Sequence, residues 1–259
     1  LPAYSALVRW GWMQALEWGR RSFDEGTLAR RLMLAAAAAH RRRQLPDAAL
    51  RQRLTPDYPF GCKRIIYAND YYPALSRPNV ELVTEAISRI TAKGIVTADG
   101  REHEIDVLVC ATGFDTVHLL SSLSVTGPSG RTLREAWAAG PEAYHGITVA
   151  SFPNLFLMLG PNTGTGHTST LLYIEPAADH AVACMQAVRA AGRRWIDVRP
   201  EVMQAHNEGL QQRLAGSVWT HCRSWYRTDA GRIVALFPGF TREYVQAVQR
   251  PRFSDYEFG

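Results

Sequence analysis

Apolar and polar positions divide the chain into a helical opening, a stretch of short strands, and an alternation of buried strands with helices. In residues 1–57, Leu7, Trp10, Ala15, Leu16 and Trp18 recur among charges, and the alanine-rich run Leu32–Ala39 is closed by His40 and Arg41–Arg43. Basic side chains at that end complement a helix dipole, so helices are predicted here, with a short one over "PDAALRQRL" that carries Pro46 early. From Gly61 the texture changes. "CKRIIYA", "VELV", "ISRIT" and "GIVTADG" are predicted as short strands, and Asp70 is placed to cap a helical turn over "DYYPAL". Ile105, Val107, Leu108, Val109, Cys110 and Ala111 predict a buried strand ending at Gly113. "RTLREAWAAG" is helical, and Leu155–Leu159 predict a second buried strand between Pro153-Asn154 and Gly160-Pro161-Asn162. Thr168 or Ser169 is then placed to cap a helix that carries Leu171, Leu172, Ile174, Ala178, Ala181, Val182, Met185 and Val188 to about Gly192. A polar helix spans about 200–214. Buried strands alternating with helices predict an α/β fold with a mainly parallel sheet. Ligands in such folds sit beyond the carboxyl ends of strands, where "ATGF" and "GPNTGTGHTS" lie.

Strand, glycine loop and helix form an arrangement that presents backbone N–H groups and a positive dipole end to anionic or electron-rich ligands. A phosphate-binding P-loop is excluded. Five residues separate Gly160 from Gly166, and His167 stands where that motif needs lysine. Two readings of the loop remain, a tight internal turn or a cofactor edge. His167, a lone histidine in a loop, is read as structural, with a contact to a cofactor as the alternative. No G-x-G-x-x-G occurs anywhere in the sequence, so the phosphate-binding first unit of a dinucleotide fold is not among these residues.

The composition is that of a globular protein, with 259 residues of which 46% are apolar and 20% charged. No run approaches the roughly 20 apolar residues of a membrane span. The net charge of +5 and pI of about 9.2 suit anionic ligands such as dinucleotides. The basic residues form no stripe interleaved with aromatics, so nucleic acid is not expected as a partner and Arg41–Arg43 are read as a solvated face. Cys62, Cys110, Cys184 and Cys222 match neither zinc spacing nor a dense disulfide framework, which predicts a reducing, cytoplasmic setting and no metal. A hydrolase reading finds neither G-x-S-x-G nor H-E-x-x-H. The first residue is Leu1, and the chain is expected to be a piece of something longer.

Four segments, taken in order and spacing, are distinctive. They are "PDYPFGCKRIIYANDYYPALSRPNVELV", "DVLVCATGFDT", "WAAGPEAYHGITVASFPNLFLMLGPNTGTGHTS" and "CRSWYRTDAGRIVALFPGFTREYV". From about Leu45 to the end the chain resembles the carboxy-terminal half of flavin-dependent monooxygenases of the Baeyer–Villiger type, relatives of the flavin-containing monooxygenases. The helical first 57 residues resemble the insertion those enzymes carry in their NADP domain. The resemblance implies an incomplete FAD/NAD(P)-binding Rossmann-like two-domain α/β fold with an N-terminal helical segment. Its parts would be residues 1–57 (helical insertion), 58–115 (NADP domain) and 116–259 (FAD domain). It implies FAD and NADP as cofactors, with an organic substrate and O2. NADPH reduces the flavin, and a peroxyflavin inserts oxygen into a ketone or oxidises a heteroatom. Carried over residue by residue, Arg64 is the catalytic arginine and Lys63 meets the 2′-phosphate of NADPH. Ala111, Thr112 and Gly113 form the junction between domains, and Trp225 lies near the nicotinamide side. Gly160, Pro161 and Asn162 line the isoalloxazine, whose reduced pyrimidine edge a helix N-terminus favours. Asp106 is read as closing a strand edge. Without both glycine loops the chain is expected to have little activity alone. The alternative is a half-protein that binds a partner chain, the missing N-terminal half, to complete a dinucleotide site.

Overall fold

A computed structural model describes residues 2–113, 120 and 122–259. The chain divides into two compact units, one made of Leu1–Ala36, Pro56–Ile65 and Asp115–Gly259, the other of Ala37–Thr55 and Ile66–Phe114.

The first unit opens with α1 (Pro2–Arg20) and the start of α2 (Leu28–Gln44), which continues into the second unit. Both helices fall where the apolar spacing predicted them. A four-residue helix, α5 (Leu133–Ala136), survives because Thr132 and Glu135 form a reciprocal capping box: the Thr132 hydroxyl accepts from Glu135 N (3.2 Å), and Thr132 N donates to the Glu135 carboxylate (2.7 Å). The long α6 (Leu171–Ala190) follows the glycine loop. Its Tyr173 and Ala177 pack on Tyr244 and Val248 of α8 (Thr241–Val248), with Ile147, Leu210 and Phe237 completing that core. Pro200 opens α7 (Pro200–Ala215), where its missing N–H leaves nothing unsatisfied.

Two strands of this unit lay outside the sequence reading. β4 (Ile196–Val198) and β5 (Tyr256–Phe258) pair antiparallel, Ile196 opposite Phe258 and Val198 opposite Tyr256. At three residues each they are too short to show a period, and their pairing is fixed by burial of Ile196, Val198 and Tyr256 against Tyr144 and Cys184. The buried Tyr256 hydroxyl lies 2.8 Å from His180 Nε2 and 3.4 Å from the Thr148 hydroxyl, while His180 Nδ1 lies 2.8 Å from Val248 O. One proton order satisfies all of them: Thr148 donates to Tyr256, Tyr256 to His180, and His180 to the Val248 carbonyl.

The second unit holds the end of α2, then α3 (Ala48–Arg53), capped by the Asp47 carboxylate accepting from Ala49 N at 2.8 Å. α4 (Tyr71–Leu75) begins after Asp70, whose side chain makes no capping bond. β1 (Ile87–Ile90), β2 (Gly94–Thr97) and β3 (Glu102–Glu104) form an antiparallel sheet in that order. β1 and β2 lie inside the predicted "ISRIT" and "GIVTADG".

Several expected strands differ. Neither "CKRIIYA" nor "VELV" joins a ladder. The run from Ile105 to Gly113 is unladdered and solvent-facing, with Val107 76% and Val109 80% exposed. Leu155–Leu159 is reduced to one antiparallel bridge, Phe156 to Thr148. The mainly parallel sheet is therefore not formed among the described residues. Their ladders are antiparallel, and parallel pairing is confined to the bridge between Gly164 and Leu236. The reason is physical. An apolar run becomes a parallel strand only when a neighbouring strand bonds its N–H and C=O groups; among the described residues the backbone bond at Val107–Cys110 is a local one, Ala111 N to Val109 O (3.1 Å).

Gly94 is required by the tight pairing of β2 with β3, since a Cβ there would lie 1.9 Å from His103 O. Gly94→Ala should destabilise this sheet by about 2 kcal/mol or more, as overpacking against backbone does. Hydrogen exchange should then speed up at Ile87–Glu104 while α6 and α8 keep their protection. Unchanged protection in β2 would show that the strands part without penalty.

Candidate cofactor-binding site

The glycine loop after Leu159 is held from one side by residues 233–237. Asn162 N donates to Val234 O and Gly164 N to Ala235 O (2.7 Å each), and Phe237 N donates back to Gly164 O (2.9 Å). Asn162 takes a left-handed φ of 56°, and its buried amide donates to Ile233 O and Leu236 O, both at 3.0 Å. Asparagine is among the few non-glycine residues that adopt this backbone readily. The glycines serve close approach: a Cβ at Gly160 would lie 2.4 Å from Gly146 O, and one at Gly164 2.6 Å from Ala235 O. Part of the glycine signal is thus internal packing.

His167 is satisfied inside the protein, as its structural reading expected. Its ring lies 3.2 Å from the Thr165 hydroxyl, 3.4 Å from the Thr241 hydroxyl and 3.6 Å from the Glu17 carboxylate. Burial lowers its pKa, and this outweighs the opposing pull of Glu17. Neither predicted residue is the cap of α6, whose N-cap is Thr170 with no side-chain capping bond: Ser169 Oγ accepts from Leu171 N (3.3 Å) one residue earlier, and Thr168 turns inward to Thr165 and Thr241. Met158, Leu159 and Leu171 are exposed around this helix start. An exposed start of a 20-residue helix beside an apolar lip fits the edge of a planar, electron-rich ring.

The Lys63-Arg64 pair belongs to the same unit. Cys62 before it is joined by a disulfide to Cys222, 160 residues away, with the two Cα atoms 6.1 Å apart. This corrects the expectation of reduced cysteines. Cysteine spacing cannot reveal a pairing created by tertiary approach, and only Cys110 (exposed) and Cys184 (buried) are free. The Trp219 indole donates to Gly61 O (3.1 Å), and the Phe23 ring stands where a Gly61 Cβ would be. Lys63 Nζ sits 4.4 Å from the centroid of Tyr58, a cation–π contact. Arg64 is exposed and forms no hydrogen bond or ion pair among the described residues. Burial raises the pKa of the Tyr226 phenol, and the Arg64 charge partly opposes this. Trp225 is 46% exposed, its ring 4.3 Å from that of Tyr226. Val234 N donates to Tyr226 O (2.9 Å), so one backbone path joins this segment to the glycine loop.

Six of the predicted residues therefore share one unit: Lys63, Arg64, Gly160, Pro161, Asn162 and Trp225. Ala111, Thr112 and Gly113 lie in the other, exposed, with Gly113 at φ 94°. A Cβ there would meet nothing within 4 Å, so the backbone conformation is what calls for glycine. Asp106 has no strand edge to close, since that strand is not formed. Phe114, the end of "ATGF", lies outside the described residues. Among the described residues no group of three or more His, Cys, Asp or Glu could hold a metal, and no helix is long and apolar enough to cross a membrane.

No family model matches the chain. A Baeyer–Villiger monooxygenase of Pseudomonas aeruginosa is 39% identical over 243 residues, which is 93% of this chain and 46% of that protein. The FAD-binding monooxygenase ktnD of Aspergillus niger is 38% identical over 238 residues, 89% of this chain and 39% of that protein. The solved structure of an oxidized steroid monooxygenase bound to NADP superposes with a TM-score of 0.78 at 32% identity, over 89% of this chain and 45% of that one. The chain belongs to the Baeyer–Villiger monooxygenase family. It spans less than half the length of the curated relatives it matches. The match to their solved structures confirms the α/β class.

Two features of this family member escaped the sequence reading. One is the disulfide, although a signal was present: "GCKR" and "CRSWYR" each carry a cysteine within three residues of a predicted site residue. The other is a cavity of about 370 Å³ lined by Tyr144, His145, His180, His206, Arg250 and Arg252. Burial, reinforced by His206, pushes the His145 imidazole from 6.5 down to about 3, and burial pushes His206 to about 4. His180 is lowered by burial as well. In the unfolded chain His145 and His206 take up protons near 6.5, while folded they resist until about 4 and below. Their contribution is complete above about pH 7 and is lost as pH falls, by at most about 1.4 kcal/mol per pH unit for each histidine. Asp197, raised by burial from 3.8 to about 6, works the other way and gains as pH falls below 6. The histidines outnumber it, so the urea midpoint should fall between pH 7 and pH 5. Joint His145→Gln and His206→Gln replacement should flatten that slope. A midpoint that rises toward pH 5 would refute the assignment.

Proposed function

We propose that this chain is the carboxy-terminal portion of an FAD- and NADPH-dependent monooxygenase that inserts oxygen into a ketone or oxidises a heteroatom. The observation that carries the reading is the gathering of Lys63, Arg64, Trp225 and Gly160–Asn162 in one unit of a chain 39% identical to a Baeyer–Villiger monooxygenase. Reduced flavin supplies the capacity to activate dioxygen; this chain's residues supply charge, orientation and exclusion of water. Arg64 is a permanent cation whose donors are not consumed by a protein partner among the described residues, as the stabilisation of an anionic oxygen requires. Lys63 is the group for the NADPH 2′-phosphate, Trp225 flanks the nicotinamide, and the start of α6 with Gly160, Pro161 and Asn162 meets the flavin edge. Ala111, Thr112 and Gly113 form the passage between the NADP and FAD domains, here residues 58–115 and 116–259, after a helical insertion over 1–57.

On this reading the chain alone has little activity, because neither diphosphate-binding glycine loop is among its residues. The exposed apolar surface supports the same view. Val107 and Val109 in one unit, and Trp10 (60% exposed) and Trp12 (67%) in the other, are faces that a longer protein would cover. A second reading, that the chain completes a dinucleotide site with a separate polypeptide, rests on the same surfaces.

The purified chain, incubated with FAD and desalted, should lose its visible flavin band. Mixed with a polypeptide that carries the two glycine loops of a relative, it should retain the band and oxidise NADPH, and Arg64→Ala should lower product formation at least about a hundredfold, the scale of losing one oxyanion-stabilising donor. Tight FAD retention by the chain alone would overturn the dependence on the missing loops. Wild-type rates in the Arg64→Ala mixture would remove Arg64 from the catalytic role.

A further inference from the structure

We propose that Cys62 and Cys222 are a thiol–disulfide modification site that positions the Lys63-Arg64 segment against the Trp225-Tyr226 segment, and that two-electron reduction releases it. The importance of Arg64 rests on the monooxygenase reading; the bond and its release do not.

The segment that follows Cys62 has little else to hold it. Residues 63–70 form no helix and no ladder, and Lys63, Arg64, Ile66 and Tyr67 are exposed. Among the described residues its anchors gather at its start: Cys62 N donates to Pro59 O (3.0 Å), Trp219 donates to Gly61 O, Lys63 lies over the Tyr58 ring, and Ile65 packs on the core that contains Cys62 and Trp219; at its far end Gln44 Nε2 donates to Asn69 O (2.8 Å). The other side of the bond is firm. Arg227 Nη1 donates to Thr220 O (2.9 Å) and Cys222 O (3.3 Å), which braces the turn that carries Cys222, and Tyr226 is tied to Val234. The disulfide therefore joins a weakly held, doubly cationic segment to a rigid one.

The surroundings also set the direction of exchange. Cys62 is fully buried and Cys222 is partly exposed, so Cys222 is the half of the bond that an external thiolate attacks first. The Cys62 sulfur then leaves as a thiolate next to two cations, Lys63 and Arg64, which favour it as a leaving group. A second thiolate resolves the mixed disulfide, and two protons from solvent complete the two thiols. In reverse, a low-molecular-weight disulfide takes the two electrons and departs as two thiols. Neither free cysteine shares this core: Cys184 is buried in a different cluster, and Cys110 belongs to the other unit.

The full chain, purified without reductant, is alkylated, digested and analysed by mass spectrometry. A linked peptide containing Cys62 and Cys222 is expected, with Cys110 alkylated. Trypsin then reads the release directly, because Lys63 and Arg64 are themselves cleavage sites. Reduction with alkylation, or Cys222→Ser, should raise cleavage at these two residues about tenfold relative to Arg31 and Arg101 in the same chain, as local opening rather than global unfolding does. Complete alkylation of both cysteines in the unreduced native protein would overturn the proposal. So would unchanged cleavage at Lys63 and Arg64 on reduction, or an equal rise at all four sites. No step needs flavin: a missing bond with FAD chemistry intact sinks only this inference, and a present bond with no flavin chemistry in the mixture sinks only the monooxygenase reading.

Discussion

The clamp between the glycine loop and residues 233–237 orders the candidate site. Asn162 gives both amide hydrogens to carbonyls of that segment, while the loop backbone exchanges three more bonds with it. Buried carbonyls left without donors would each be penalised by a few kcal/mol, so the two segments hold one register. The register fixes where α6 begins. It also fixes the Trp225-Tyr226 segment through Val234, and that segment fixes Lys63-Arg64 through the disulfide. Gly146 and Gly160 pack backbone to backbone behind the loop, where a side chain at either would collide with a carbonyl.

Legibility followed the range of the interactions involved. α1, α2, α3, α6 and α7 were readable because helix bonds close within four residues and the apolar stripe repeats within the segment. β4 and β5 were not, because Ile196 and Phe258 meet across 61 intervening residues and each strand offers only three positions. The run Ile105–Ala111 was misread in the opposite sense: its apolar content is that of a buried strand, but strand formation is a property of a pair, and no described residue supplies the partner.

The site was legible in type but not in connection. Lys63, Arg64, Trp225 and the Gly160–Asn162 turn could be named from motif order alone. What joins them, the Cys62–Cys222 bond and the Asn162 clamp, spans 160 residues in one case and 71 to 74 in the other. The loop glycines also carried a double meaning. They read as a cofactor cradle, yet Gly160 and Gly164 are accounted for by the carbonyls of Gly146 and Ala235. The exposed part of this region is the start of α6, with Met158, Leu159 and Leu171 around it.

Glu17 shows how the opening helix contributes to this frame. The side chain of this α1 residue is buried, and its Oε1 accepts from Thr241 N at 2.8 Å, at the first turn of α8. A carboxylate there satisfies an N–H with no partner inside the helix and sits at the positive end of the dipole. The same oxygen lies 3.6 Å from His167 Nε2. An ionised pair at this depth would have to repay two desolvations, and burial keeps the imidazole neutral. The lowered His167 pKa follows from that burial. Glu17 Oε1 thus serves the helix start, and the loop histidine remains a neutral hydrogen-bonding group between Thr165 and Thr241. That separates the loop's architecture from its candidate chemistry: permanent positive charge is offered by Lys63 and Arg64, and the loop itself offers backbone N–H groups and shape.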